Sequence, residues 1–325
     1  MTRILTYNIL MGAAKRVDPL VDMISSVQPD IVGLAEAVRP DVVEKLGQRL
    51  GMQHIMSGRA PHSDYWQVAL LSRLPVVYSK THIRPQALTK PLLEVCLEEP
   101  GGKQITVFVI HMAAAFSKGW AGDGIRRREA RELLQIMAAK TGTPHVVIGD
   151  FNTLAPGDAF EASTLLRYVV EQDDRYKRNP ARAEGHPYLD FVVPRPLRIF
   201  NPLLRLITRV PSLYRLFDGA ASLYAPRSSI SLLRKAGYVD CFRQMNPWTA
   251  GFTCPAAAPA GRIDFIFASP ELAASLTSSQ ILSSGTSVSA EQASDHLPVV
   301  AEFGEPVVSE HDQVKLEQHS EGIHV

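Results

Sequence analysis

Cysteine is scarce in this 325-residue chain: only Cys96, Cys241 and Cys254 occur, an odd number without CxxC spacing or a histidine at zinc-ligand distance. Neither a disulfide framework nor a thiolate metal site is indicated, and the three read as packing residues. Net charge is also nearly absent, with 34 Lys+Arg against 33 Asp+Glu. A hydrophobic content of 46% and a charged content of 21% exclude a disordered, collagen-like or supercharged chain. Long apolar runs are missing too. The stretch from Ile105 to Phe116 is interrupted by His111 and falls short of the roughly 18–20 residues a spanning helix needs. The opening MTRILTYNIL enters an alternating strand without a secretory-signal pattern, so a cytoplasmic location is expected.

The small net charge conceals an uneven distribution. The last 21 residues, from Glu305, carry five acids and one base, which leaves residues 1–304 at about +5. This acidic tail, 305–325, reads as disordered. Before it, short apolar strands alternate with amphipathic stretches. Strands are expected at 3–8, 31–36, 68–72, 76–82, 92–97, 104–111, 145–150, 262–268 and 297–303, with helices at about 18–27, 41–50 and 125–140. That mixture argues for an α/β layered architecture with helices covering sheet faces, in one domain over 1–304. The stretch of about 171–229 is rich in Pro, Arg and aromatics, has poor periodicity, and reads as an insertion.

Polar residues fall where strands end. Asn8 closes the first strand, Glu36 the second and His111 a Val-Phe-Val-Ile run; Asp150 and Asn152 follow His-Val-Val-Ile-Gly. Asp264 stands inside Arg-Ile-Asp-Phe-Ile-Phe, and Asp295 and His296 precede the last strand. One such residue alone is ordinarily a turn or cap residue, and a lone histidine on an apolar strand is ordinarily a satisfied core group. Repeated interruptions of one chemical type at separate strand ends point instead to a shared site, since layered α/β folds build sites there. The oxygen donors of Asn8, Glu36, Asp150, Asn152 and Asp295 suit Mg²⁺ or Mn²⁺ rather than zinc. Two histidines beside them supply what phosphate-ester hydrolysis requires.

In order, the motifs T-Y-N-I-L, L-A-E-A-V, A-L-L-S-R-L-P, V-I-H-M, I-G-D-F-N-T, R-I-D-F-I-F and S-D-H-L-P-V lie within residues 2–303. This set resembles the endonuclease/exonuclease/phosphatase superfamily, which includes deoxyribonuclease I, apurinic/apyrimidinic endonucleases, sphingomyelinases and inositol-polyphosphate 5-phosphatases. The resemblance implies a four-layered α/β sandwich, with two central mixed β-sheets flanked by helices and a site at one edge. It implies Glu36 as the principal metal ligand with Asn8 and Asp295 nearby, and Asp150 orienting or activating water. Asn152 would bind phosphate, His296 would be held by Asp264 against the scissile group, and His111 would be a second phosphate-facing imidazole.

The chain departs from parts of that family. V-I-H-M stands where apurinic/apyrimidinic endonucleases usually place Asn-x-Tyr-x-Pro, which disfavours that branch. An acid often pairs with the equivalent of His111, and here the region ahead of A-L-L-S-R offers Asp64 or Gln67. Residues 176–218 hold eight Lys/Arg against three Asp/Glu, and 195–217 hold five Arg, no acid and many large apolar residues. Such a composition suits a membrane-surface segment or a lid over an anionic substrate, or else a helical subdomain packed on the core with its arginines solvated. The leading expectation is a metal-dependent phosphodiesterase or phosphatase. A deoxyribonuclease I-like endonuclease is the enzymatic alternative, although a body charge near +5 is weak for a strong DNA binder. A membrane- or partner-docking scaffold is the non-enzymatic one.

Overall fold

Strands with two apolar faces must be covered on both sides, and the chain does this by stacking two sheets on each other. The computed structural model describes residues 1–60, 66–179 and 189–304. In chain order its elements are β1 (Thr2–Asn8), α1 (Val17–Ser25), β2 (Ile31–Ala35), α2 (Pro40–Leu50), β3 (Gln53–Met56), β4 (Ala69–Ser72), β5 (Val76–His82), β6 (Leu92–Glu98) and β7 (Gln104–His111). Then follow α3 (Trp120–Met137), β8 (His145–Asp150), α4 (Ala162–Arg178), α5 (Leu189–Val192), α6 (Asn201–Ile207), α7 (Tyr214–Tyr224) and α8 (Ser228–Lys235). The chain continues through β9 (Val239–Asp240), α9 (Cys241–Met245), β10 (Asp264–Ala268), α10 (Pro270–Ala273), β11 (Leu276–Ile281), α11 (Ala290–Ala293) and β12 (Val299–Phe303).

Two mixed six-stranded sheets result, ordered β11-β12-β1-β2-β4-β3 and β5-β6-β7-β8-β10-β9. Side chains alternate between faces along a strand. Ile4, Ile31, Leu70 and Val299 of the first sheet therefore meet Val107, Val109, Ile148 and Ile266 of the second. Their neighbours Leu5, Tyr7, Val32 and Leu34 point outward and pack under α1 and α2. On the far side, Phe108, Val147, Phe265 and Phe267 pack under α3 and α8. This is the four-layered α/β sandwich, helices outside and sheets within. At Gly33 the sheets approach so closely that an added Cβ would lie 2.5 Å from the Ile148 side chain, which would have to shift to admit any larger residue.

The structure extends the sequence expectations in three places. Strand β3 and strand β11 are half-exposed and polar (QHIM, LTSSQI), so neither shows strong apolar alternation. Helix α3 begins at Trp120 rather than near Ile125, its first turn being the glycine-containing WAGDG, whose helix propensity is poor. The stretch without a legible period contains much of α4 and all of α5 to α7, which share a small core of Leu166, Val169, Leu189 and Val193 with Leu204, Ile207 and Phe217. Short helices with apolar residues on more than one face give no clean 3.6-residue signal. The expected tail, 305–325, and Asp64 lie outside the described residues. No helix among those described is long and apolar enough to cross a membrane.

Candidate active site

Register alone assembles half of the site. In the second sheet His111 at the end of β7 pairs with Asp150 at the end of parallel β8, and Asp150 pairs in turn with Asp264 on antiparallel β10. Directly opposed residues point to the same face, so the three side chains stand in a row. Gly149 permits the turn of β8 into its exit loop: its φ is +145°, and a Cβ there would lie 1.8 Å from the Ile110 carbonyl oxygen. In the first sheet Asn8 is paired with Ala35, and Glu36 follows with φ +58°. Asn152 likewise has φ +50°. Non-glycine residues held in this region carry local strain, which is found most often at functional sites.

The two sheets meet at Asp150. Its Oδ2 accepts a hydrogen bond from Asn8 Nδ2 at 3.0 Å and lies 3.6 Å from His111 Nε2 and 3.9 Å from His296 Nε2. Its Oδ1 accepts the Asn152 amide N–H at 2.8 Å. Asn8 Nδ2 also donates to Glu36 Oε1 at 3.1 Å, while Asn8 Oδ1 accepts the Leu10 N–H. Glu36 Oε2 accepts the Met11 N–H at 2.7 Å. His296 Nδ1 is bonded to Asp264 Oδ2 at 2.8 Å. The loop carrying Asp295 and His296 is tied to β1 by Ser294 Oγ, which donates to the Asn8 carbonyl at 2.6 Å. Ligand atoms of Asp150, Asp264 and His296 all lie within 4.8 Å of one another.

Every candidate residue from the sequence is thus at this seam. Asn8 reaches the carboxylates with its amide nitrogen. Asn152 turns its Nδ2 to the Met112 carbonyl at 3.0 Å. Asp295 acts on the cluster through its charge, which raises Glu36. Of the two partners considered for His111, Gln67 is buried elsewhere, donating to the Ser57 carbonyl, and Asp64 is outside the described residues. His111 Nδ1 has no hydrogen-bond partner among the described residues.

Burial sets the electrostatics. It pushes the Asp150 carboxyl up to about 7, reinforced by Asp264 and opposed by His296, Lys90 and the Asn152 N–H. Burial and the charge of Asp295 raise Glu36, against the Met11 and Asn8 hydrogen bonds. His111 lies well below the usual histidine range because it is buried and faces Lys90 and His296. Burial also works against a charged His296, but the charge and hydrogen bond of Asp264, with the charge of Asp295, outweigh it, so this imidazole lies well above the usual range. The two histidines are therefore different chemical species at neutral pH, one neutral and one cationic. Burial pushes the Cys254 thiol up to about 11, so it is protonated at neutral pH.

Sequence reasoning missed Lys90. It sits in Thr-Lys-Pro just ahead of β6, where a lysine reads as an ordinary turn residue. In the fold its ammonium donates to the Met112 carbonyl at 3.0 Å and lies 5.2 Å from the Trp66 ring centroid. The Trp66 ring in turn meets His111 edge-on at 5.8 Å. Burial lowers the Lys90 ammonium to about 8 against the pull of Asp150, Glu36 and Glu129. Behind it, Glu129 of α3 accepts from the Thr89 N–H and hydroxyl with one oxygen and from the Ala113 N–H with the other. Arg126, also buried on α3, donates to the Ala113 carbonyl at 3.1 Å.

Comparison with known proteins agrees with this frame. The family model described as "Endonuclease/Exonuclease/phosphatase family" matches residues 5–296. No curated protein matches the sequence. Among solved structures the chain is similar to an AP endonuclease from Archaeoglobus fulgidus (TM-score 0.61, 16% identity, covering 93% of this chain and 99% of that one). It is similar also to a 3'-5' exonuclease from Neisseria meningitidis (0.58, 18%, 93% and 99%). A mannosyl-6-phosphatase from Bacteroides thetaiotaomicron is a third (0.59, 15%, 94% and 100%). At these identities the likeness is one of fold.

Proposed function

The chain belongs to the endonuclease/exonuclease/phosphatase family, whose enzymes hydrolyse phosphate esters, and from that premise we propose that it is a divalent-metal-dependent phosphodiesterase or phosphatase. In this reading residues 1–304 act as one catalytic domain carrying the insertion at about 171–229. The observation that carries it is the surroundings of Asp150 Oδ2, with Asn8, His111 and His296 converging on a carboxyl pushed up to about 7. A carboxyl titrating near neutrality is suited to accept a proton from water at working pH.

The donor set fits a hard cation. Glu36 and Asp295 repel each other while partly or wholly buried, so their ionised forms need a positive counter-charge at hand. Glu36 and Asp295 would hold Mg²⁺ or Mn²⁺, with Asn8 beside them. The ion would polarise a phosphoryl oxygen and offset charge there. Asn8 Nδ2 fixes the orientation of both Glu36 and Asp150. Asp150 aligns the attacking water and takes its proton. His296, kept cationic by Asp264, stabilises charge developing on the phosphoryl oxygens. Neutral His111, the Asn152 side chain and the Lys90 ammonium orient the phosphate group from the other side.

The fold is shared by proteins named as nucleases and as a sugar phosphatase, so the leaving group is a matter for experiment. Hydrolysis of a generic phosphodiester and a phosphomonoester is measured with Mg²⁺, with Mn²⁺ and with EDTA, alongside plasmid nicking. Cleavage of an ester that EDTA abolishes and Mg²⁺ or Mn²⁺ restores is expected, with Glu36→Gln requiring more metal for half-maximal rate. An Asp150→Asn protein as active as wild type would defeat the mechanism.

A further inference from the structure

Ten of the eighteen large hydrophobic side chains exposed among the described residues fall within 191–224, about a tenth of the chain. Their placement is systematic. On α6, Leu204 and Ile207 turn onto the small core shared with α4, while their neighbours Leu203 and Leu206 are each 52% exposed. On α7, Phe217 turns inward, while Leu216 and Leu223, seven residues apart and so on one face, are 74% and 89% exposed. Each helix therefore has two apolar faces, one packed and one open. Concentrations of exposed apolar surface on this scale mark interaction sites.

The charge on the same surface selects the partner. Within 191–224 there are five arginines and one acid, Asp218, which accepts from the Ser163 N–H and hydroxyl of α4. Asp173 and Asp174 engage Arg205, and backbone carbonyls of Asp190 and Val193 engage Arg198. Arg195, Arg209 and Arg215 are exposed, and their guanidinium groups make no hydrogen bond or ion pair among the described residues. A second copy of the chain would set these arginines against their equivalents. Duplex DNA offers anions but no apolar phase for Leu216 and Leu223. A bilayer with anionic headgroups offers both.

We propose that α6 and α7 dock the protein on an anionic phospholipid surface, with Leu206, Leu216 and Leu223 entering the headgroup–acyl boundary and Arg195, Arg209 and Arg215 meeting the phosphates. The patch is joined to the site. The ring of Phe191 packs edge-on against Phe116, five residues beyond His111, at 6.2 Å, and Tyr224 packs against Trp120, itself 64% exposed, at 5.6 Å. Thr153 Oγ1, beside Asn152, donates to the Pro226 carbonyl just past α7 at 2.9 Å. Docking would bring the site to the membrane surface.

The full chain is co-sedimented with vesicles of phosphatidylcholine alone and of phosphatidylcholine with phosphatidylglycerol, and hydrolysis of a water-soluble phosphodiester is followed in parallel. Wild type is expected to partition onto the anionic vesicles and only weakly onto the neutral ones. Arg209→Glu with Arg215→Glu should lower that partition by roughly 30-fold or more, each cation near an anionic leaflet being worth about a factor of five. Leu216→Glu with Leu223→Glu should abolish it. Hydrolysis of the soluble ester should be unchanged in all variants, which separates a failure of docking from a failure of the catalytic reading. Absence of vesicle binding, equal partition onto neutral and anionic vesicles, or variants that bind like wild type would overturn the proposal. So would duplex DNA binding or a dimer that these substitutions remove while vesicle binding is absent.

Discussion

Asp264 and His296 are joined by a 2.8 Å contact from Oδ2 to Nδ1, and this pairing leaves Nε2 as the imidazole atom facing Asp150. A buried histidine would ordinarily shed its proton; here the carboxylate behind it keeps the ring charged well above the usual range. The charge on His296 and its aim are thus both set by one residue of β10.

Replacing Asp264 by Asn removes that charge while keeping the shape. Burial then dominates and the His296 imidazole titrates at lower pH. The alkaline limb of the kcat profile should move acidward, and kcat at its optimum should fall by roughly 10²- to 10³-fold, the usual loss of one pre-organised charge-stabilising group. Initial rates between pH 5 and 10 check this, and an unmoved alkaline limb would separate His296 protonation from the rate.

Much of this arrangement is legible in the sequence, because the site lies where strands end and its residues interrupt otherwise apolar runs. Asp150 and Asn152 after His-Val-Val-Ile-Gly, and Asp295 with His296 before Leu-Pro-Val-Val, stand out for that reason. What the sequence does not carry is pairing: that His111, Asp150 and Asp264 are cross-strand neighbours follows from the β7-β8-β10 register. Nor does it carry the direction of an amide, so the double donation from Asn8 Nδ2 emerges only in three dimensions. Lys90 is invisible for a related reason, since nothing in Thr-Lys-Pro distinguishes a solvated lysine from one turned inward over Trp66.

In EDTA the inactive Asp150→Asn variant should gain thermal stability relative to wild type as the pH is raised. The native carboxyl titrates at about 7 against about 3.9 in an unfolded chain. The native state therefore binds more protons than the unfolded state across that interval, and wild-type stability drops as pH rises through it. The neutral amide has no such dependence. Melting temperatures taken from pH 4 to pH 8 should diverge progressively in favour of the variant; parallel curves would show that the carboxyl is not held protonated by the fold.

Lys90→Met tests the unforeseen cation. Its positive charge pulls Asp150 down, so its loss should raise the Asp150 carboxyl and move the acid limb of the kcat profile to higher pH. A lysine that also contacts the substrate phosphate should leave a second mark, a KM about tenfold higher, which corresponds to about 1.4 kcal/mol of binding. A shifted limb with unchanged KM would assign Lys90 to tuning Asp150 alone.

Glu129 never faces the substrate, yet its substitution should reproduce part of the Lys90 result. One of its oxygens holds Thr89, the residue before Lys90, and the other holds Ala113, the residue after Met112. The Met112 carbonyl accepts from both Lys90 Nζ and Asn152 Nδ2. Glu129 thereby fixes the loop that carries the cation and the carbonyl that receives it. In Glu129→Gln one acceptor becomes an NH₂ pressed against a backbone N–H, costing about 1–3 kcal/mol of stability. A purely structural role would lower the melting temperature and leave the pH profile where it was. A positioning role predicts the same alkaline displacement of the acid limb as Lys90→Met, because a lysine released toward solvent no longer holds Asp150 down. The double variant Glu129→Gln with Lys90→Met should then displace the limb no further than Lys90→Met alone, since both act through one charge.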